Sequence, residues 1–570
     1  MQSCRHVEKR MMDIELLSLP PFNLCADDIA WVRRTRDSLS TEEKIRQLFV
    51  LAQFRDEPEE VTDLLRTRPG GVHRAWGSDA AMAWRTTRAV LDQSEIPPLI
   101  TGDLEGGAYG HGCGTPLPNP MGIAAMNDKE LARNVAQVMA RESLAMGFDW
   151  SFTPVVDLNV RPESPIVGTR SYGDCVSSVR EQALIHLEAM QGAGLACTAK
   201  HWPGEGFDAR DQHLVTTVNP LSWAEWETHF GVLYRSLIEG GVLSVMAGHI
   251  AFPTGAKRQG AVGEREPYRP ASLSRELNGI LRNELNFNGV IVSDATAMAG
   301  FTTWADRAEC VPQVIENGCD VFLFSWDAEA DLKLMIRGLR EGRLSEERVE
   351  AAVTRVLALK ARQGLHKRSI DQRLPPLKDI QASLRTPVNL QVAEDAAQAS
   401  VTLVKDTGVL PITPDHHRRV VIVSSADALR STVDTQELFS EFYNGLTAAG
   451  FTWRAFDPEH WPTEENTDLV IYLMAKESML SRGRLFLDWA QLHGDPRKAM
   501  RRFWPAIPTI LVSFGHAAYL LDAPRVPVLV NAYTANSQTQ RAVLERLMGQ
   551  KAFTGKSPID PFCGQPEARW

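Results

Sequence analysis

Up to about residue 365, eight short apolar runs, each followed by a stretch of helical periodicity, constrain this 570-residue chain more than any other feature. The runs are QLFVLAQF (47–54), a weaker PGGVHRA (69–75), PPLITGDLEGG (97–107), DWSFTPVVDLN (149–159), GLACTAKH (194–201), GVLSVMAGHI (241–250), GVIVSDA (289–295) and CDVFLFSWD (319–327). Between them, segments such as NDKELARNVAQVMARESLAMG and VSSVREQALIHLEAMQGAG space their apolar residues as a helix does and close on glycine. Strands that are apolar throughout and separated by helices imply a parallel sheet covered on both faces. Eight such units favour an α/β fold of the (β/α)8, TIM-like barrel type over an open sheet.

Residues 1–368 are therefore read as a barrel domain with an N-terminal extension, 1–39. The polar, proline-bearing stretch SIDQRLPPLKDIQASLRTP breaks the alternation, so residues 369–398 read as a linker. Beyond it, ASVTLVKD, RVVIVSS, DLVIYLMA, IPTILVSFG and VPVLVNAY are buried-strand candidates of a second α/β domain, 399–570. No glycine-rich phosphate loop follows its first strand, so a nucleotide site there has no support.

A net charge of −10 and the absence of a long basic run argue against nucleic acid as a partner. No apolar run reaches the roughly 18 residues of a membrane span, and the N-terminal stretch has no apolar leader core. The eight cysteines form no C-x-x-C pair, and several sit in apolar segments as reduced thiols would. These features together imply a cytoplasmic protein that uses no membrane partner.

The ends of the runs carry the chemistry. Asp103 and Glu105 follow the third run, Asp157 the fourth, and Lys200 and His201 the fifth. His249 follows the sixth, Asp294 the seventh and Asp327 the eighth. Barrel enzymes gather their reacting groups at these carboxyl ends, although some such residues only cap the next helix. Glycosidic hydrolysis needs an acid for the leaving oxygen and a second group at the anomeric carbon. Asp294, at the end of a rigid strand, suits the second role and equally suits a helix cap. Asp211-x-His213 offers the first, because a histidine of ordinary pKa about 6.5 can hold a proton near neutrality and a carboxylate orients its ring. Asp103, Arg170, Lys200 and His201 would then meet the hydroxyls of a polar ligand. His201, His213, His249 and Asp294 are also raw material for a metal-dependent amidohydrolase, but no strand ends in His-x-His and Lys200 would oppose a cation.

The stretch KHWPGEGFDARDQHL (200–214) resembles the signature of glycoside hydrolase family 3, specifically its β-N-acetylglucosaminidase branch. STEEKIRQLF, GDLEGG, FTPVVDLN, GTRSYGD, GVIVSDATAM and ASVTLVKDTGVLPI are similar to further family stretches in the right order. The resemblance implies a catalytic barrel followed by an α/β sandwich domain. It implies Asp294 as nucleophile with retention, and His213 as acid/base with Asp211 as its partner. It further implies a sugar held by Asp103, Arg170, Lys200 and His201, His249 near the same pocket, and no metal or organic cofactor. The substrate is expected to be a terminal β-linked N-acetylglucosaminide, cleaved by an exo-acting hydrolase. The alternatives are a family 3 β-glucosidase, a glycoside phosphorylase or a non-catalytic sugar-binding barrel.

Three departures stand out. Ala108 and Tyr109 replace the family's arginine, Glu205 occupies the position between the two glycines, and SDATAM lacks a second acidic residue. These changes touch substrate choice more than reaction class. His213 already fills the acid/base role, which leaves support of the barrel or homodimerisation for the second domain.

Overall fold

The structure is a computed structural model that describes residues 14–54, 58–426, 434–477 and 483–570. Residues 1–13, with Cys4, lie outside the described residues. The other seven cysteines are free thiols, and no described helix is long and apolar enough to cross a membrane.

Each of the eight runs contains a strand: β1 (Phe49–Gln53), β2 (Gly71–Arg74), β3 (Leu99–Gly102), β4 (Trp150–Ser151), β5 (Thr198–Trp202), β6 (Ser244–Ala247), β7 (Val290–Ser293) and β8 (Phe322–Leu323). β8 pairs with β1, and β1 to β4 pair in order, all parallel. β5, β6 and β7 form a second parallel set. Single parallel bridges, Trp150 to Ala196 and Val292 to Val321, join the two sets and close the barrel. The helices follow local chemistry. Asp128 caps helix Lys129–Ala145 by accepting from the amides of Glu130 and Leu131.

The segment expected to be a polar linker is helical. It forms helices Ile370–Arg373, Leu377–Ser383 and Pro387–Ser400. Pro387 sits at a first helical position, where its missing N–H costs nothing, so it starts a helix rather than breaking one. Ile380, Leu384, Ala393 and Ala396 are buried, and Arg373 anchors the segment on Asp149 at 2.6 Å.

The second sheet comprises β9 (Thr402–Asp406), β10 (Arg419–Ala426), β11 (Thr452–Ala455), β12 (Leu469–Ala475), β13 (Thr509–Ser513) and β14 (Val528–Asn531). Their spatial order is β9-β14-β13-β12-β10-β11, with β9 antiparallel and the rest parallel. Separate apolar clusters cover its two faces, one around Ile422, Ile471 and Val512 and the other around Val421, Tyr472 and Leu511. This is the sandwich layering expected of a parallel sheet. β11 escaped the sequence reading because, as an edge strand, it is nowhere fully buried and shows no apolar run.

Candidate active site

Apart from Asp327, the ionisable residues expected at the strand ends gather at the carboxyl mouth of the barrel. Lys200, within β5 and 2 % exposed, lies 2.9 Å from Asp103 Oδ1 and 2.8 Å from Glu105 Oε1. Arg170 grips Glu105 with both arms of its guanidinium, at 2.9 and 2.8 Å. Two buried cations thus balance two carboxylates. Burial alone would raise the Asp103 and Glu105 carboxyls, but Lys200 and Arg170 hold both below the ordinary range. Burial likewise disfavours the Lys200 charge, and the two carboxylates outweigh it and raise the ammonium pKa.

His201 Nδ1 lies 2.6 Å from Asp157 Oδ2, and the other Asp157 oxygen accepts the His201 and Glu205 amides. That pairing turns His201 Nε2 toward Asp294 Oδ2, 4.0 Å away. Asp294 follows β7 directly and is 8 % exposed. Its side chain accepts from the adjacent Ala295 amide, and the next helix starts only at Ala299 with Met298 at its cap position. The capping role left open for Asp294 is therefore not the one it plays. Asp327 does cap a helix, through the Ala330 amide. Burial would raise the Asp294 carboxyl, yet His201 and His213 together with the Ala295 amide keep it below the usual carboxylate range.

Asp211 Oδ1 accepts the backbone amide of His213 and pairs with its Nδ1 at 2.7 Å. The Asp211 side chain is fully buried, whereas that of His213 is 24 % exposed. The glycines before this pair, which by residue type alone suggest a hinge, are positions of close packing. Gly204 (φ +114°) and Gly206 (φ +129°) occupy left-handed conformations, and a Cβ would collide with the Phe230 ring and with Leu158 O, respectively. The loop is also tied down beyond them, since Gln212 O accepts from Gly300 and His213 O from Ala299.

His249, expected beside the sugar, is fully buried behind the site. Its Nδ1 meets Ser272 Oγ at 2.8 Å and its Nε2 meets Ala295 O at 2.9 Å. Both ring nitrogens are spent inside the protein, so His249 positions the Asp294 turn rather than touching a ligand. Burial lowers its pKa, consistent with a neutral ring held between one donor and one acceptor.

Glu105, Asp157, Glu205 and Gln212 were not among the expected site residues. Glu105 and Asp157 do carry a signal, since each stands at a strand end with no neighbouring cation in sequence. Gln212 carries none. It donates to Glu205 Oε2 at 3.0 Å and accepts from the His249 amide at 2.8 Å, tying the Asp-x-His loop to two strand ends. Glu205 thereby gains a reason to be there, because it also accepts from Thr217 at 3.2 Å.

Asp157, His201 and Glu205 are the one group among the described residues whose donor atoms lie close enough to share a cation. Those atoms are engaged with one another and with Gln212, Thr217 and backbone amides, which suits a closed hydrogen-bond network.

A family model, the glycosyl hydrolase family 3 N terminal domain, matches residues 40–359. The chain belongs to glycoside hydrolase family 3. It is 37% identical over 564 residues to a beta-N-acetylglucosaminidase/beta-glucosidase of Cellulomonas fimi, covering 96% of this chain and 99% of that one. A beta-hexosaminidase of Vibrio cholerae is 31% identical over 253 residues, covering 44% of this chain and 72% of that one. A solved beta-glucoside phosphorylase, BglX, bound to 2FGlc, superposes with a TM-score of 0.89 at 34% identity, covering 96% of this chain and 99% of that one. A family 3 beta-N-acetylglucosaminidase from Paenibacillus shares the fold at a TM-score of 0.75 and 23% identity, covering 92% of this chain and 99% of that one. This chain is thus a glycosidase-family enzyme with a second α/β domain after the barrel.

In this family 3 enzyme Glu205 makes a testable contribution to pH dependence. Burial, with Asp157 and Asp211 nearby, raises its carboxyl well above the ordinary range. A raised folded-state pKa means stability that is present at acidic pH and is lost as pH climbs through the folded value. Glu205→Gln keeps the shape and stays neutral. Its melting temperature should match wild type near pH 5 and exceed it increasingly at alkaline pH, by roughly 2–4 °C per ~1 kcal/mol regained. Thermal unfolding across pH checks this, and a constant offset between the two proteins would contradict it.

Proposed function

We propose that this family 3 enzyme is an exo-acting, retaining β-glycosidase that releases terminal β-linked N-acetylglucosamine. Asp294 is the nucleophile in this reading, His213 the acid/base and Asp211 the partner that orients it. The observation that carries it is the Asp211–His213 pair, on the loop after β5, which is fastened through His213 O to the Ala299 amide of the segment that follows Asp294. Asp211 occupies Nδ1 of the ring, so Nε2 is the nitrogen that handles the proton.

The first step forms a bond between an Asp294 oxygen and the anomeric carbon. The carbon–oxygen bond to the aglycone breaks, and the leaving oxygen takes the His213 proton. In the second step His213 recovers a proton from water as that water displaces Asp294, which restores the starting stereochemistry. In this reading Asp103, Lys200 and Arg170 hold hydroxyls of the terminal sugar, with Glu105 held between the two cations.

A second reading is favoured by the near-full-length likeness to a beta-glucoside phosphorylase. There phosphate replaces water in the second step, and a histidine acid/base does not repel it as a carboxylate would. Aryl N-acetylglucosaminide, glucoside and xyloside, each assayed with and without phosphate, separate the two. Preference for the N-acetylglucosaminide with indifference to phosphate supports the hydrolase. Acceleration by phosphate with a sugar-1-phosphate product supports the phosphorylase. His213→Ala should cost about 10²–10⁴-fold on poor leaving groups and much less on activated aryl glycosides, since only the former need the proton. Equal losses on both would contradict the acid/base role.

A further inference from the structure

One acidic side chain of the second domain contacts the barrel loops that carry Glu105 and Arg170. Glu477, just past β12, accepts from the Ala108 amide at 3.1 Å and from Asn119 Nδ2 at 2.9 Å. Its own carbonyl accepts from Thr169 Oγ1 at 2.8 Å. Three chain-distant points of the barrel are thus fastened by one residue, and two of them adjoin the site. Ala108 lies on the loop that follows Glu105 and presents Tyr109, whose ring stands 5.1 Å from the Arg170 guanidinium. Thr169 immediately precedes Arg170 in the turn Gly168–Arg170.

The fit between the two domains is close here. Gly107 (φ +54°) has no room for a Cβ, which would lie 2.3 Å from Glu477 Oε2. Further contacts brace the same two segments. Asn119 also donates to Tyr533 O at 2.9 Å, and the Asp560 amide donates to Asp174 at 3.0 Å. Burial pushes the Glu477 carboxyl up to about 7 against the pull of its Asn119 and Ala108 partners, so the group is held in a desolvated crevice.

We propose that Glu477 is a positioning residue of the sugar site, through which the second domain sets the spacing of Glu105, Tyr109 and Arg170. This rests on the glycosidase reading above. It makes the second domain part of the binding site without placing any of its atoms at the reacting bond. Losing the carboxylate frees both segments, so the defect falls on sugar binding rather than on Asp294 or His213.

Steady-state kinetics on whichever aryl glycoside the wild type turns over test this. Glu477→Ala should raise KM about tenfold and leave kcat within about threefold. Glu477→Gln, whose carbonyl can accept both N–H groups, should restore KM to near wild type. Gly107→Ala disturbs the same contact from the barrel side and should reproduce the KM defect, which keeps the test usable if Glu477→Ala misfolds. An unchanged KM in the Ala variants, or a kcat loss that Glu477→Gln does not relieve, overturns the proposal. Absence of turnover in the wild type would instead defeat the glycosidase reading. Calorimetric titration with N-acetylglucosamine and with glucose would then report the affinity loss directly.

Discussion

Asp294→Ala is expected to lower kcat on an aryl β-N-acetylglucosaminide by at least about 10³-fold, equivalent to ~4 kcal/mol of barrel-mouth chemistry. Three observations support the nucleophile reading of this carboxylate. β7 delivers it rigidly to the mouth, the Ala295 amide takes one oxygen, and His201 stands 4.0 Å from the other. The fold should survive, because the lost side chain's hydrogen bond runs to its own neighbour and no helix cap goes with it. Melting temperature is therefore the control. Intact mass after incubation with a 2-deoxy-2-fluoro glycoside gives a second readout, with an adduct on wild type and none on the variant. Turnover by the variant at the wild-type rate would sink the nucleophile assignment.

Lys200→Met is expected to be the most damaging change to stability in the site, at about 3–5 kcal/mol. Methionine fills much the same volume, so the loss is that of the charge. Lys200 Nζ is the cation shared by Asp103 and Glu105, and removing it leaves Arg170 to serve Glu105 while Asp103 loses its closest partner. Sugar binding should fail with it. The pH dependence fixes the cause. In wild type both carboxyls are held below their ordinary range, so their contribution to stability is present above that range and is lost as pH falls through the folded values. The variant lacks this contribution, so the gap in stability between the two proteins should narrow toward acidic pH. Denaturant unfolding at several pH values measures it, and a gap independent of pH would point to packing instead.

Much of the barrel was legible because its signal is local. A strand buried on both faces must be apolar along its length, and all eight runs contain one. Asp103, Lys200, His201 and Asp294 stood out for the complementary reason, since ionisable residues near the end of an apolar run are conspicuous, and Asp211 and His213 stood out as an Asp-x-His pair on the loop that follows. Arg170, expected to meet a polar ligand, pairs with Glu105 through Nε and Nη2. Other features failed where the deciding contact is remote. The 369–398 segment reads as polar linker because the surface it covers, including Asp149, is elsewhere in the chain. The glycines of WPGEGF suggest mobility by type, whereas Phe230 and Leu158 show that they are there for close packing. His249 is indistinguishable in sequence from a ligand-facing histidine, and only Ser272 and the Ala295 carbonyl reveal that its nitrogens are taken.

By itself the sequence determined the order of the strands, the family and the residue types available at the barrel mouth. Periodicity and the polarity of strand ends are properties of neighbours along the chain, which is why they survive without coordinates. Tertiary structure decided which charges meet, which histidine has both ring nitrogens engaged inside the protein and which barrel loops the second domain contacts. Arg170 finds Glu105 across 65 residues and Glu477 finds Asn119 across 358. Glu205 acquires its raised pKa only when folding removes water and brings Asp157 and Asp211 beside it. Such effects arise from desolvation and distance, and neither exists until the chain has closed on itself.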